Sequence, residues 1–157
     1  MQAWFLHGKP DRFTLSSQSH EVEQVSVKMR ADEQIALVEA YFTAVDNENL
    51  PDVLGTLNKQ CVFTVETHGV RLEGHEEIAG MFRRLWGNHR AVRHFDFVHV
   101  PDPAGDRIAA KFKVENTEQD GRLTHKSNCN FFDIKDCNFS AVAVYMSGPN
   151  TLEHDGR

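Results

Sequence analysis

The chain has 157 residues, of which 40% are hydrophobic and 25% charged, and its formal net charge is −6. This length suits one domain with its own core, and an acidic balance without a basic stripe argues against a nucleic-acid partner. No apolar run approaches the roughly 18 residues of a membrane span, and the first residues lack the apolar core of a signal peptide. We therefore expect a cytoplasmic protein with no membrane partner.

The two ends of the chain lack the apolar patterning that is present in its middle. Residues 1–30 show no continuous apolar face and are interrupted by Gly8 and Pro10, which predicts a poorly structured N-terminal arm. Residues 148–157 are polar and are predicted to form a frayed tail. The folded domain is accordingly predicted to span residues 31–147.

The domain is predicted to begin with two helices. Apolar residues recur every three or four positions over Ile35–Val45, which predicts an amphipathic helix. Asn49 is predicted to cap a second, short helix that ends at Leu57. Tyr41 lies one step off the first apolar stripe, where its ring can be buried while its hydroxyl meets a polar partner inside the protein.

The rest of the chain reads mainly as strands. A strand is predicted at Cys61–Thr67, a short return strand at Val70–Leu72 and a third helix at Gly74–Trp86. Further strands are predicted at Ala91–Val100, Arg107–Asn116, Leu123–Ile134 and Phe139–Ser147.

This order of elements predicts an α+β fold. We expect a cone-shaped, strongly curved, mixed and mostly antiparallel sheet with about three helices packed on its concave side. Ile35, Phe42, Ile108 and Phe112 are predicted to share one core. A bent sheet closed by helices leaves a conical cavity, which is a favoured place for a ligand.

Several sequence segments within this order of elements resemble those of a known protein family. They are AYFTAVDNENLPDVLGTL, CVFTVETHGVRLEGHEEIAGMF, the RHF that begins at Arg93, and the closing DGRL…FFDIKDCNFSAVAVYM. Over about residues 32–147 the chain resembles the nuclear transport factor 2-like superfamily, and within it the SnoaL-like polyketide cyclase and ketosteroid isomerase branch. The superfamily hosts isomerases, dehydratases, cyclases, epoxide hydrolases and non-catalytic binding modules on one scaffold, so function has to be argued from the site.

The chain matches the catalytic pattern of ketosteroid isomerases at one position and differs from it at two. Tyr41 falls where those enzymes place the tyrosine that donates to the oxyanion. Their general-base aspartate falls on Val65, and reaches Glu66 only with a one-residue slip that a bulge would have to absorb. Their second aspartate has no counterpart, since the region offers Asn128, Cys129 and Asn130.

Similarity to other branches of the superfamily suggests other candidate catalytic and substrate-binding residues. Similarity to scytalone dehydratase-like members implies a catalytic role for His94 and a substrate-holding role for Asn128. Their second histidine is missing, and Glu115 or Glu118 lies nearby instead. Similarity to SnoaL-like cyclases, which use an acid–base carboxylate on an inner strand, implies a role for Asp96.

The residues themselves support an acid–base pair at His94 and Asp96. Both are expected on one face of a strand, where the carboxylate can set the tautomer of the imidazole or raise its pKa. The alternative is a structural histidine beside a solvated carboxylate. Asn128 and Asn130 share a face with Phe132 and are expected either to line the cavity or, in the opposite parity, to face outward.

We therefore expect cofactor-independent acid–base catalysis, by isomerisation, dehydration or cyclisation, on a small, apolar, ring-containing molecule. The alternative is a non-catalytic ligand-binding or dimerisation module of the same fold. No spacing of the histidines resembles a metal-ligand set, so neither a metal nor a cofactor is expected. The candidate catalytic residues are Tyr41, His94 and Asp96. The candidate substrate-binding residues are Glu66, Asn128, Asn130, Phe112 and Met146.

A homodimer is also expected. The strands Ala91–Val100 and Leu123–Ser147 carry apolar residues on both faces, whereas an antiparallel sheet normally turns its second face to water. A second subunit packed sheet to sheet would cover that face. The family resemblance implies dimers as well.

Overall fold

The structure is a computed structural model that describes residues 28–152. The predicted arm at residues 1–30 therefore lies almost entirely outside the described residues. At its last three positions, Lys28 forms an ion pair with Asp106 at 2.7 Å and the Met29 amide donates to the Gly105 carbonyl at 3.1 Å. These contacts hold the start of the domain against the loop near Gly105.

Three helices and six strands make up the domain. The helices are α1 at Ala31–Asp46, α2 at Leu50–Gly55 and α3 at Gly74–Asn88. The strands are β1 at Leu57–Val65, β2 at Val70–Glu73, β3 at His89–Pro101, β4 at Arg107–Glu118, β5 at Leu123–Lys135 and β6 at Asn138–Tyr145. A short 3₁₀ turn, Glu66–His68, joins β1 to β2.

The predicted helices and strands are all present, although several boundaries differ; β1, for example, spans Leu57–Val65 instead of Cys61–Thr67. The predicted N-cap of α2 is confirmed, because the Asn49 side chain accepts a hydrogen bond from the Asp52 amide. Helix α2 ends at Gly55, two residues earlier than predicted, and Leu57 already belongs to β1. Leu57 is buried in the strand, so its apolar character reflects the sheet and not the helix.

The strands form one open sheet in the order β2-β1-β6-β5-β4-β3. All neighbours are antiparallel except β1 and β6, which run parallel. Register shifts interrupt β3–β4 between Phe95 and Val98, β1–β6 between Leu57 and Val62, and β5–β6 at Asp133. Because bulges bend strands and increase their twist, these irregularities curve the sheet towards the helices. The α+β architecture with a mixed, mostly antiparallel sheet is confirmed.

The core lies between the helices and the concave face of the sheet. Strand β4 alternates as predicted, with Ile108, Ala110, Phe112 and Val114 all buried. Phe42 of α1 lies 4.6 Å from Phe112 between ring centroids, while Ile35 packs at the edge of the same core. The predicted common core is therefore present, and it places α1 over the strands that line the cavity.

Candidate functional site

A cavity that is partly open to solvent lies between α1, α3 and the concave face of the sheet. Its wall is largely aromatic and aliphatic and includes Phe42, Phe63 and Phe82. Predicted substrate-binding residues Phe112 and Met146 also line it. A mainly apolar wall with a few polar groups is typical of a small-molecule site.

Tyr41 projects from α1 into this cavity and is 2% exposed. Its ring makes edge-on contacts with four phenylalanines, including Phe42 at 5.0 Å and Phe132 at 5.8 Å between centroids. Burial raises the pKa of the Tyr41 hydroxyl, and the nearby Cys61 thiol raises this pKa further. The phenol therefore keeps its proton, so it can donate a hydrogen bond inside the cavity.

His94 lines the same cavity from β3 and is held by Asp46, the last residue of α1. One carboxylate oxygen of Asp46 lies 2.5 Å from the imidazole Nδ1, and the other accepts the backbone N–H of His94 at 2.9 Å. The ring also packs against Phe42 and Phe112, at 4.6 and 5.4 Å between centroids. A carboxylate at Nδ1 favours the tautomer with the proton on Nδ1, which leaves the Nε2 lone pair available to a ligand.

Asp96 does not belong to this site, which corrects the expected pairing of His94 with Asp96. The side chain of Asp96 is exposed and is absent from the cavity wall. The bulge in β3 spans this position, and Asp96 adopts a φ of 55° there. Because a bulge breaks the two-residue alternation of a strand, Asp96 no longer shares the face of His94. The carboxylate that pairs with the histidine comes from the end of a helix, 48 positions earlier in the sequence.

Asn128 and Asn130 face the cavity from β5, which resolves the parity that the sequence left open. They are 8% and 3% exposed, while Phe131 next to Asn130 is 47% exposed on the opposite face. The Oδ1 atom of Asn128 accepts the Ser147 amide at 3.3 Å, and the Oδ1 atom of Asn130 has no hydrogen-bond partner among the described residues.

Glu66 does not line the cavity, although it was a candidate for substrate binding. It lies exposed in the 3₁₀ turn after β1, where its carboxylate accepts the Thr64 hydroxyl at 2.6 Å. Glu66 is therefore a surface residue of the turn.

Asn116 of β4 is a cavity residue that the sequence analysis did not single out. It is 1% exposed, and neither its Nδ2 nor its Oδ1 atom has a hydrogen-bond partner among the described residues. The sequence did contain a sign of this role. Asn116 continues the series of alternate, inward-facing residues over Ile108–Val114, and it has an amide where that pattern predicts an apolar side chain. Asp46 gave no comparable signal, since its position next to His94 depends on the packing of α1 on β3.

The C-terminal segment closes one side of the cavity. Thr151 and Leu152 line it, and the Lys126 ammonium of β5 donates to the Pro149 carbonyl. Leu152 also packs against the core. The described part of the predicted frayed tail is therefore packed on the domain, while residues 153–157 lie outside the described residues.

Two further features concern metal ions and membranes. Within residues 28–152, no three His, Cys, Asp or Glu side chains are grouped to hold a metal ion. In the same stretch no helix has the length and apolar character needed to cross a membrane.

Solved structures with the same fold include proteins with different names. A protein from Xanthomonas campestris pv. campestris that carries the name polyketide cyclase is 21% identical, with a TM-score of 0.67 over 73% of this chain and 90% of its own. An LEH-like epoxide hydrolase of M. tuberculosis is 19% identical, with a TM-score of 0.65 over 74% of this chain and 84% of its own. A hypothetical protein from Catenulispora acidiphila with a ketosteroid isomerase-like fold, solved with trimethylamine, is 13% identical, with a TM-score of 0.63 over 69% and 83%. At these identities the similarity concerns the fold.

The family is shown by the sequence. No curated protein matches the sequence significantly. The SnoaL-like domain, in contrast, matches residues 38–142, a span that runs from α1 to β6 and contains Tyr41, Asp46, His94 and the three cavity asparagines. The chain shares its fold with solved structures of nuclear transport factor 2-like proteins, and it belongs to the SnoaL-like domain family.

Proposed function

We propose that the cavity catalyses a cofactor-independent acid–base reaction, an isomerisation, dehydration or cyclisation, on a small, apolar, ring-containing molecule. The observation that carries this proposal is the pairing of His94 with Asp46 at 2.5 Å, beside a cavity that Tyr41 also lines. A base whose tautomer is fixed by a carboxylate, together with a buried hydrogen-bond donor, is the equipment needed to form an enolate.

Three residues have separate roles in the proposed reaction. The Nε2 atom of His94 takes a proton from the carbon next to a substrate carbonyl, the electron pair of that C–H bond forms a C=C bond, and the π pair of the carbonyl moves onto its oxygen. Tyr41 donates a hydrogen bond to the oxygen as its negative charge grows. Asp46 stabilises the imidazolium formed on His94. The proton then returns to a different atom of the substrate, or leaves with a hydroxyl group as water.

The wall of the cavity supports an apolar ring compound as substrate. Phe42, Phe63, Phe82 and Phe112 supply apolar area that a ring can cover, and aromatic pairs gain from edge-on or offset contacts. The polar groups are few and lie on α1, β3, β4 and β5. The names of the structural neighbours, a polyketide cyclase and an epoxide hydrolase, also refer to reactions of small organic molecules.

The proposal is tested without knowing the natural substrate by measuring proton exchange. Ring ketones such as 1-tetralone are incubated in D₂O with the protein, and loss of the proton next to the carbonyl is followed by NMR. The wild-type protein should accelerate the exchange. His94→Gln and Tyr41→Phe should each slow it by about 10²- to 10⁴-fold, the usual contribution of a positioned acid or base.

The competing function is a binding module that uses the same cavity without chemistry. In that case no ring ketone would exchange faster with the protein than without it, and the two substitutions would change only the affinity for ligands. The largely apolar wall is compatible with such a module, so the exchange experiment decides between the two functions. A cytoplasmic location stays a prediction from the sequence.

A further inference from the structure

The side chain of Asn116 is the least satisfied polar group on the cavity wall. It is 1% exposed, and both its donor and its acceptor atoms lack a partner among the described residues. Buried polar groups in proteins are nearly always hydrogen-bonded. An amide with both functions unpaired on a cavity wall therefore indicates a position at which a ligand completes the bonding.

The sheet places Asn116 next to the proposed base. Asn116 lies opposite Val92 of β3, and Val114 of β4 lies opposite His94. Asn116 and His94 are thus diagonal neighbours on the same face of an antiparallel pair, with a typical separation of about 7–8 Å. A group bound by Asn116 and an atom next to His94 can belong to one ring compound.

The other two cavity asparagines differ from Asn116 in their bonding or position. The Oδ1 atom of Asn128 is occupied by the Ser147 amide, so its acceptor function is partly used within the protein. Asn130 has an unpartnered Oδ1, but it lies opposite Ala110, further along β4 from Asn116. Asn116 is the one of these three described residues whose donor and acceptor atoms are both fully buried without a partner.

We propose that Asn116 is a specificity-determining residue that binds a neutral edge of the ligand carrying a donor beside an acceptor, as in a carboxamide or a hydroxy-carbonyl group. Such an edge accepts a hydrogen bond from Nδ2 while it donates one to Oδ1. A carboxylate or a simple ketone offers acceptors alone and leaves Oδ1 unpaired, which disfavours its burial there. This inference rests on the proposed function only in that both assign the ligand to the same cavity.

The test compares three probes of similar shape by isothermal titration calorimetry. They are 2-naphthamide, which has a donor and an acceptor, 2-acetonaphthone, in which a methyl group replaces the amide nitrogen, and 2-naphthoate, which is anionic. The wild-type protein should bind the amide about 10-fold more tightly than either of the others, since it alone completes both hydrogen bonds. Equal affinities, a preference for the carboxylate, or no binding of any probe would overturn the proposal.

Substitutions assign the preference to Asn116 itself. Asn116→Leu, which has a similar shape and no polar atoms, should remove the preference for the amide. Asn58→Leu provides the matched control, because Asn58 lies on β1 outside the cavity and donates to the Lys135 carbonyl at 3.1 Å. Thermal unfolding shows whether the variants are folded, and Asn116→Ala replaces the leucine variant if that one is not. A preference that persists without the Asn116 amide would contradict the assignment.

The binding test separates this inference from the proposed chemistry. His94→Gln should lose proton exchange and keep the preference for 2-naphthamide. Exchange by the wild-type protein without an amide preference would remove only the assignment to Asn116. An amide preference without exchange would remove only the proposed reaction.

Discussion

Burial changes the acid–base behaviour of two neighbouring core residues, Tyr41 and Cys61. Desolvation raises the pKa of the Cys61 thiol to about 12, from an ordinary value of 9.0, and it raises the pKa of the Tyr41 hydroxyl as well. In the unfolded chain both groups return to their ordinary values. Their protonation therefore links the stability of the fold to alkaline pH.

The sign of this linkage gives the first prediction. Between pH 9 and about 12 the unfolded chain releases the Cys61 proton that the folded chain retains, so the free energy of unfolding should fall as pH rises. Urea unfolding between about pH 7 and 10.5 should show this decline, and Cys61→Ala should make it less steep.

Cys137 provides the control, because its side chain is exposed. Cys137→Ala should leave the decline with pH as it is in the wild-type protein. Identical slopes in the wild-type protein and in Cys61→Ala would contradict the role assigned to burial of the Cys61 thiol.

At the scale of secondary-structure elements, a single buried amide joins α1 to the loop after β3. Gln34 is 1% exposed, and its Nε2 atom donates to the Met29 carbonyl at 3.0 Å and to the Asp102 carbonyl at 2.9 Å. Its Oε1 atom accepts the Asp102 amide at 3.2 Å. All three bonds fix the start of α1 relative to the β3–β4 connection.

Gln34→Leu should therefore destabilise the protein by about 1–3 kcal/mol, because it removes three hydrogen bonds made by a buried side chain. The change is measured as a shift in the urea midpoint at constant slope. Gln119→Leu is the matched control, since Gln119 makes one exposed bond to the Gly87 carbonyl at 3.1 Å and should have little effect. Equal losses in the two variants would contradict the role of Gln34.

The elements also show how far the sequence could predict this protein. Helical periodicity over Ile35–Val45 and alternation over Ile108–Val114 reflect local geometry, so the helices, the strands and the core were predictable. The partner of His94 was not, because the β3 bulge turns Asp96 outward and the packing of α1 brings in Asp46. Both depend on contacts between elements that are distant in sequence, and no local pattern encodes them.

At the scale of the whole molecule, the outer face of the sheet is unusually apolar. Val98 and Val100 of β3 are 56% and 62% exposed, and Phe131 of β5 and Tyr145 of β6 are 47% and 45% exposed. Phe131 and Tyr145 contact each other edge to face at 5.9 Å. Because the outer face of an antiparallel sheet normally carries polar residues, such a surface favours a covering partner.

We propose that a second copy of the chain covers this face. Sedimentation at micromolar concentration should give about twice the monomer mass of 17.9 kDa. Phe131→Glu should shift the protein to the monomer, because it places a charge in the apolar interface. Lys135→Glu, at an exposed position at the end of β5, serves as the control for a change in charge. A wild-type mass near 17.9 kDa would contradict the dimer.

If the His94–Asp46 pair acts as the base of a catalytic cavity, two matched aspartate substitutions should differ in their effect on proton exchange. In Asp46→Asn, the new amide group would donate to Nδ1 and so put the proton of His94 on Nε2, where the base must be free. Proton exchange of ring ketones in D₂O should therefore fall by about 10²- to 10⁴-fold in this variant. Asp96→Asn should exchange at the wild-type rate, because Asp96 is exposed outside the cavity. Wild-type exchange in Asp46→Asn, or a loss confined to Asp96→Asn, would contradict the account.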